Sequence, residues 1–402
     1  MSALLRFPGQ HGDGGPAATA EELAHALAGR LAETAVARDR QGGHAGAERE
    51  LVRASGLLGF TIAREHGGQG GDWPTFFRIV RILASEDSAL AHVFAFHHLQ
   101  LATIGLYGSA GQARRLLGDT AAEGLFWGNA FNRLDRRTFA TPAEGGWRLE
   151  GVKAYCSGAL GSDQLMLTAW HEPSASFLVG ALPTDAPGIA VQSDWDAFGQ
   201  RQTDSGTVRF DAVFLPGEDV LLAPGAPLPL HATLRSQVSQ LILANLYLGI
   251  AEGALAAARK YAGSEARPWF ASGVEASVDD PYVQHRYGEL TLDARAARPL
   301  ADEAALHLAG ALRRGNALTE AERGEVAIGV AQAKVLAHRA VMRISSEFLE
   351  LTGARSTSAR LGFDRFWRNA RVHTLHDPVD YKLRDLGRYY LTGLHPEPTP
   401  YS

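Results

Sequence analysis

Cysteine is all but missing from this chain: Cys156 stands alone among 402 residues. One thiol excludes an intrachain disulfide framework and any multi-cysteine metal site, and suits a reducing cytoplasm. Positive charge is not in excess either. With 39 Lys plus Arg against 44 Asp plus Glu, the net charge of −5 leaves no basic footprint for nucleic acid. The opening MSALLRFPGQHGDGG has no cationic stretch followed by an apolar one, so no secretory signal is read there, and its glycines predict loose order. The longest apolar run, Leu241 to Ala258, is broken by Asn245 and Glu252 and is rich in Ala and Gly. It falls short of the roughly 20 predominantly apolar residues a membrane span needs, and reads as a helix buried in a bundle. Nucleotide-binding fingerprints are also lacking. Gly67, Gly68, Gly70 and Gly71 are followed by no Lys-Ser/Thr, and no strand leads into a GxGxxG, so a tight connection between helices is expected there. No βαβ nicotinamide fingerprint occurs, and no internal repeat.

What is present is organised in three sections. A capping box, Thr19-x-x-Glu22, opens a helix to about Arg40; further helices are expected at Ala47–Ser55, from Pro74, over Asp87–Leu106 and over Ala110–Leu117. From about Gly124 the segments GLFWGNAF, WRLEGVKAYCSGA, DQLMLTAW, ASFLVGALP and GTVRFDAVFLP are short, β-branched or aromatic, and bounded by Gly/Pro turns, which predicts strands. Glu144-Gly145-Gly146 reads as a hairpin turn, and PGAPLP, Pro224 to Pro229, as the linker out of the strands. Long Ala/Leu-rich helices then cover roughly Gln237–Tyr261, Pro281–Arg314, Thr319–Gly353 and Asp364–Leu391. Asp280-Pro281 and Thr319-x-x-Glu322 mark two of their starts. The expected architecture is α+β: a helical section over residues 1–122, a small β-domain over 123–228, and a helical bundle over 229–402.

The densest chemistry lies in RFWRNARVHTLHDPVDYKLRDLGR, Arg365 to Arg388, which holds two histidines, an amide and five arginines. As a helix it places Asn369, His373 and His376 at i, i+4 and i+7, on one face. Asp377-Pro378 then breaks it, because proline has no N–H and disfavours the α region in the residue before it. Any one of these histidines alone reads as a satisfied core histidine beside a kink; the constellation points to catalysis.

Taken with ASGLLGFTIAREHGG, WGNA, YCSGA, DWDAFGQRQTDSG, EARPW, GFDRFWRNAR and HTLHDPVDYK, this order of sections resembles the acyl-CoA dehydrogenase fold. More closely it is similar to the two-component (group D) flavin monooxygenases that share the fold, such as dibenzothiophene monooxygenase and indole-type hydroxylases. The resemblance implies an N-terminal helical domain, a central β-barrel or sandwich, and a C-terminal four-helix bundle. In the dehydrogenases the C-terminal motif carries a catalytic Glu; here Leu375-His376-Asp377-Pro378 stands in that place, as it does in the monooxygenases. The implied reaction takes reduced flavin, FMNH2 or FADH2, from a separate NAD(P)H:flavin reductase. O2 then adds at the flavin C4a, and the resulting hydroperoxide inserts one oxygen into a small aromatic heterocycle, at sulfur or at a ring carbon. The resemblance assigns Asn129 and Ser157 to the flavin ring edge or the peroxide, and His92 and His376 to proton delivery and substrate orientation. It assigns Trp195, with Gln202-Thr203, to the flavin, and Arg267 and Arg355 to its phosphate, Arg267 across a subunit boundary of a homotetramer. Taken alone, Asn129 and Ser157 read equally well as a turn former and a cap, and Arg355 as a surface ion pair.

His92, Phe94, Phe96, Trp127, Phe131 and Trp269 are candidate walls of an apolar substrate pocket, although an aromatic stripe is more often plain core. No arginine is assigned to that pocket, which counts against a small sulfinate. FNRLDRRTF, Phe131 to Phe139, is polar and reads as a lid. No metal, nucleic acid or membrane is expected, and the cytoplasm is the expected compartment. The alternatives are an alkanesulfinate monooxygenase, an FAD-dependent acyl-CoA dehydrogenase, and an inactive flavin-binding subunit. A flavin that arrives reduced and diffuses between two proteins predicts a protein that purifies largely colourless, with reduced flavin bound more tightly than oxidised. A stoichiometric yellow flavin surviving gel filtration would instead favour the dehydrogenase.

Overall fold

The computed structural model describes residues 18–402; the Gly-rich opening segment, expected to be loosely ordered, lies outside them. Five helices come first: α1 (Ala20–Gln41), α2 (Gly46–Ala54), α3 (Trp73–Glu86), α4 (Ser88–Tyr107) and α5 (Ala110–Glu123). The expected capping box starts α1, with Thr19 and Glu22 each closing on the other's backbone N–H. A second box, Ser109 with Gln112, escaped the sequence reading; α5 runs further than expected, to a left-handed Gly124. Between α2 and α3 the glycine-rich turn is a connection, not a phosphate cradle. The N–H groups of Gly68, Gln69, Gly70 and Gly71 are all spent on carbonyls of residues 59–63. A Cβ on Gly71 would lie 2.3 Å from the Phe60 ring, so only glycine fits there.

Eight strands form one mixed sheet: β1 (Trp127–Ala130), β2 (Thr138–Ala143), β3 (Gly146–Lys153), β4 (Gln164–His171), β5 (Ser176–Pro183), β6 (Ile189–Val191), β7 (Val208–Pro216) and β8 (Val220–Leu222). The order is β6-β7-β3-β2-β4-β5-β8, with β1 running parallel along the first half of β4. Period-2 alternation serves both faces. Leu165, Leu167 and Ala169 of β4 join Leu149, Leu178 and Val213 on one side, while Met166 meets Trp127 and the α4–α5 helices on the other. The strand expected over WRLEGVKAYCSGA stops at Lys153, because Tyr155 and Gly158 take positive φ and turn the chain. Arg49 of α2 holds that turn: buried over the Phe126 ring at 4.4 Å, it donates to the carbonyls of Leu160 and Gly158.

The remaining helices are α6 (Leu234–Ser264), α7 (Pro281–Arg314), α8 (Glu320–Glu347), α9 (Asp364–Thr374) and α10 (Val379–Thr392). Asp280 caps α7 and Thr319–Glu322 caps α8, as expected. The expected fourth long helix is two, α9 and α10, separated at Leu375–Pro378. One continuous apolar core joins α1, α3 and α4 to α6, α7 and α8, so the first and last sections of the chain pack as a single helical body. Among the described residues, two helices, α4 and the stretch leading through α6, are long and apolar enough to cross a membrane, but 78% and 83% of their apolar windows are buried inside the structure. Arg49→Met leaves two buried carbonyls without their donor and should cost about 2 kcal/mol of stability, measured as a lowered urea midpoint at unchanged m-value.

Candidate active site

A cavity of about 970 Å³ opens where α4, the sheet and the C-terminal helices meet. It is lined by His92, Phe96, Asn129, Phe131, Ser157, Trp195, His373 and His376, among others. Most of the expected site residues are therefore brought together, although they come from five separate parts of the chain.

Three expected wall residues lie elsewhere. Phe94 points into the helical core against Phe76 and His98, because residues two apart on a helix cannot share a face with His92 and Phe96. Trp127 shares the α4-facing side of β1 with Asn129, but sits about 7 Å further along the strand, given its rise per residue; its indole donates to Thr120 Oγ1 at 2.8 Å. Trp269 is 67% exposed on the segment after α6, its ring tilted against Phe270 at 4.7 Å. Arg267 and Arg355 are exposed, line no part of the cavity and make no side-chain bond among the described residues.

Helix α4 carries three histidines with different fates. His97 and His98 are satisfied core histidines: His97 bonds the Leu58 carbonyl and accepts from the Trp127 N–H, while His98 bridges Leu57 and Thr61. His92 is buried, stacks on Phe96 at 4.0 Å, and leaves both ring nitrogens without a partner. Burial, with the nearby His376, pushes its pKa down to about 3, so it is a neutral imidazole at pH 7.

His373 of α9 lies 4.8 Å from His92, ring to ring, and burial holds it neutral as well. Its Nδ1 accepts from the Gln200 amide at 3.2 Å. Asn369, expected beside the histidines, faces the β-domain instead: its Oδ1 accepts from the Gln200 backbone N–H at 2.6 Å. Gly199 lets this contact form, since a Cβ there would lie 2.1 Å from the Arg368 carbonyl. His376 lies beyond the end of α9, in the turn that Pro378 enforces, and so leaves the helical stripe. It still lines the cavity, and its Nδ1 contacts Asp377 Oδ1 at 3.0 Å. Burial pushes the Asp377 carboxyl up, but the His376 hydrogen bond and the Lys334 charge outweigh it and hold it below the ordinary carboxylate range. Asp377 is therefore an ionised acceptor, and His376 must carry its proton on Nδ1.

Beneath the cavity floor runs a chain of hydroxyls. Ser157 Oγ meets Ser205 Oγ at 2.7 Å, Ser205 meets Thr203 at 2.8 Å, and Thr203 donates to the Gln200 carbonyl at 2.9 Å, which also accepts from Trp195 Nε1. Asn129 Oδ1 accepts from Gln100 Nε2 at 3.2 Å. Residues 132–134 of the expected lid line the mouth, pinned by Lys153, which donates to the carbonyls of Asn132 and Asp135.

The sequence reading missed Arg235, at the start of α6. Its guanidinium lies 3.4 Å over the Phe131 ring in the cavity wall and bonds Thr103 and Gln100, so the pocket does hold an arginine. Burial pushes its pKa down to about 10, and no carboxylate offsets that. Nothing local signals this residue; only the packing of α6 on α4 brings it in.

Comparisons with known proteins now fix the class. Residues 17–124 match the acyl-CoA dehydrogenase N-terminal domain, and residues 241–381 its C-terminal domain. The chain is 44% identical to the probable FMNH2-dependent monooxygenase SfnC of Pseudomonas putida, over 96% of this chain and 98% of that one. It is similar to methanesulfinate monooxygenase MsuC of Pseudomonas fluorescens, with a TM-score of 0.94 at 43% identity over 96% and 100% of the two chains. It is also similar to TdsC of Paenibacillus sp. A11-2 in its complex with FMN and indole, with a TM-score of 0.92 at 39% identity over 95% and 99%. The chain belongs to the flavin-dependent monooxygenases of the acyl-CoA dehydrogenase fold.

Lys334 is buried and salt-bridged to Asp377, with Gln240 completing its shell. Lys334→Met strands a buried carboxylate, and should cost about 3 kcal/mol of stability, measured by denaturant unfolding. The depressed Asp377 pKa means its own stabilising contribution is complete above about pH 4 and is lost as the pH falls through the folded value.

Proposed function

We propose that this enzyme uses reduced flavin, FMNH2 or FADH2, and O2 to oxygenate a small aromatic heterocycle, at sulfur or at a ring carbon. One observation carries the reading: His92, His373 and His376 converge with Asn129 and Ser157 on a single cavity walled by Phe96, Leu99, Tyr107, Phe131 and Trp195. The cavity's buried polar atoms fit a flavin ring. His92 presents two unpartnered ring nitrogens, and Gln200 Oε1 is likewise unpartnered; groups of this kind call for a polar-edged ligand. Bound reduced flavin supplies the activation of O2. The remaining work belongs to the chain. Neutral His92 and His373 orient substrate without adding charge. His376, its Nδ1 proton committed to Asp377, keeps Nε2 free to exchange a proton at the cavity. The aromatic walls and the segment 131–139 keep out bulk water.

The chain lacks a nicotinamide fingerprint, which supports a separate NAD(P)H:flavin reductase as partner. Arg267 and Arg355, exposed and unpaired among the described residues, and the exposed Trp269–Phe270 pair support a homo-oligomer, a tetramer, whose subunits complete the phosphate end of one another's sites. The single buried thiol fits a cytoplasmic enzyme.

Arg235 favours a second reading. A cationic side chain with no carboxylate partner in the wall suits a small anion, and the similarity to methanesulfinate monooxygenase points to an alkanesulfinate. The test supplies the protein with an NADH:flavin reductase, FMN, O2 and, in turn, indole, a benzothiophene and methanesulfinate. Pigment from indole, or a sulfoxide or sulfone, is the expected product, and leaving out the reductase should abolish it. Turnover from NADH alone would overturn the two-component reading. Consumption of methanesulfinate with both aromatics untouched would install the second reading in place of the first.

A further inference from the structure

Two hydrogen-bond chains end at the same spot in the cavity, and each has a fixed direction. The first begins at Arg235. A guanidinium only donates, so the Gln100 atom 3.4 Å from its Nη2 must be the carbonyl Oε1. Thr103 cannot relax this constraint: its hydroxyl proton is committed to the Leu99 carbonyl at 2.7 Å, while its oxygen accepts from Arg235 Nε at 2.7 Å. Gln100 therefore turns Nε2 to Asn129, Asn129 must answer with Oδ1, and its NH2 is left for the cavity. Among the described residues, no bond uses that NH2.

The second chain begins at the Gln200 carbonyl, which only accepts. Thr203 spends its one proton there, so Ser205 must donate to Thr203, and Ser157 in turn to Ser205. Ser157 reaches the cavity with its proton spent and only lone pairs to offer. The two residues are neighbours, joined by the Asn129 N–H to Ser157 carbonyl bond at 3.1 Å.

We propose that Arg235, Gln100, Thr203 and Ser205 are positioning residues that fix Asn129 as a donor and Ser157 as an acceptor, and that this pair selects reduced over oxidised flavin. The inference deepens the proposed function and rests on it. A ligand edge that matches the pair must offer an acceptor beside a donor. At its N5 edge, the only one whose donor pattern changes here with oxidation state, reduced isoalloxazine has this arrangement, with the C4 carbonyl next to N5–H. In oxidised flavin N5 is an acceptor, and an acceptor facing the spent Ser157 hydroxyl leaves two lone pairs opposed in a buried site. The enzyme would thus take up the form its reductase delivers and release the form left after turnover.

The test measures dissociation constants of full-length protein for FMN, oxidised by fluorescence titration and reduced under anaerobic dithionite. It also measures the midpoint potential of bound FMN. Wild type is expected to bind reduced FMN at least about tenfold more tightly, an amount comparable to one unmatched buried polar contact, with a potential above that of free FMN. Thr203→Val unties the hydroxyl chain, and Gln100→Glu, which still satisfies Arg235 but cannot donate, forces the Asn129 amide to turn over. Each should cut the preference by about tenfold and lower the potential. Thr203→Ser and Arg235→Lys keep the direction of their chains and should keep the preference. Because the two chains are independent, a misfolded variant of one leaves the other to decide. A preference unchanged in a folded Thr203→Val or Gln100→Glu variant overturns the proposal, as does Thr203→Ser losing it as fully as Thr203→Val. A wild type that binds neither form of FMN or FAD, and turns over none of the substrates above, overturns the functional reading itself.

Discussion

The junction at Gln200 holds the site together. Its backbone N–H is received by Asn369, its side-chain amide reaches Ser88 and His373, and its carbonyl anchors both Trp195 and the Thr203 hydroxyl. One residue thereby ties α9, the start of α4 and the loop before β7. The φ of +52° it adopts is unusual for a side-chain-bearing residue, and it persists because contacts on every side over-determine it. Arg38 adds a second tie from α1, bonding Gln202 at 2.5 Å and Asp87 at 2.6 Å. The loop is thus gripped by helices from both ends of the chain, and the sheet cannot shift against the helical body without breaking buried, charge-assisted bonds.

Protonation follows from that geometry. Three histidines meet at one cavity, yet only His376 has a carboxylate to balance a proton, and that carboxylate is kept ionised by Lys334. His92 and His373, packed ring against ring with no acid nearby, stay neutral. The site can therefore move a proton at one place while its inner wall stays uncharged, which suits a reaction that must exclude water and stray protons.

Much of the frame was legible in the residues. The capping boxes at Thr19 and Thr319, the cap at Asp280, the break at Pro378 and the change after Gly124 to short β-branched and aromatic segments between Gly/Pro turns all act within a few residues, so they survive into the structure. His92, Asn129, Ser157, Trp195 and His376 were assigned by resemblance, and the fold does gather them. Phe94, Trp127 and Trp269 were grouped by type alone, and the structure disperses them. A helix turns 100° per residue, a strand carries side chains apart along its length, and an exposed loop has no wall to join.

The sequence by itself determined where elements begin and end, which class of fold they build, and that a histidine-rich break near the C-terminus needed a chemical reason. Those properties depend on backbone sterics and on neighbours three or four positions away. Only the tertiary structure decided which histidines are spent and which are open. His92, His97 and His98 lie on one helix, and partners from Leu57, Leu58, Thr61 and Trp127 satisfy two of them and leave the third bare. It also decided the polarity of the site. Arg235 acts on Gln100 from 135 positions away, and Ser205 on Ser157 from 48. A hydrogen bond has a direction only once both of its ends are in place, and no local pattern carries that information.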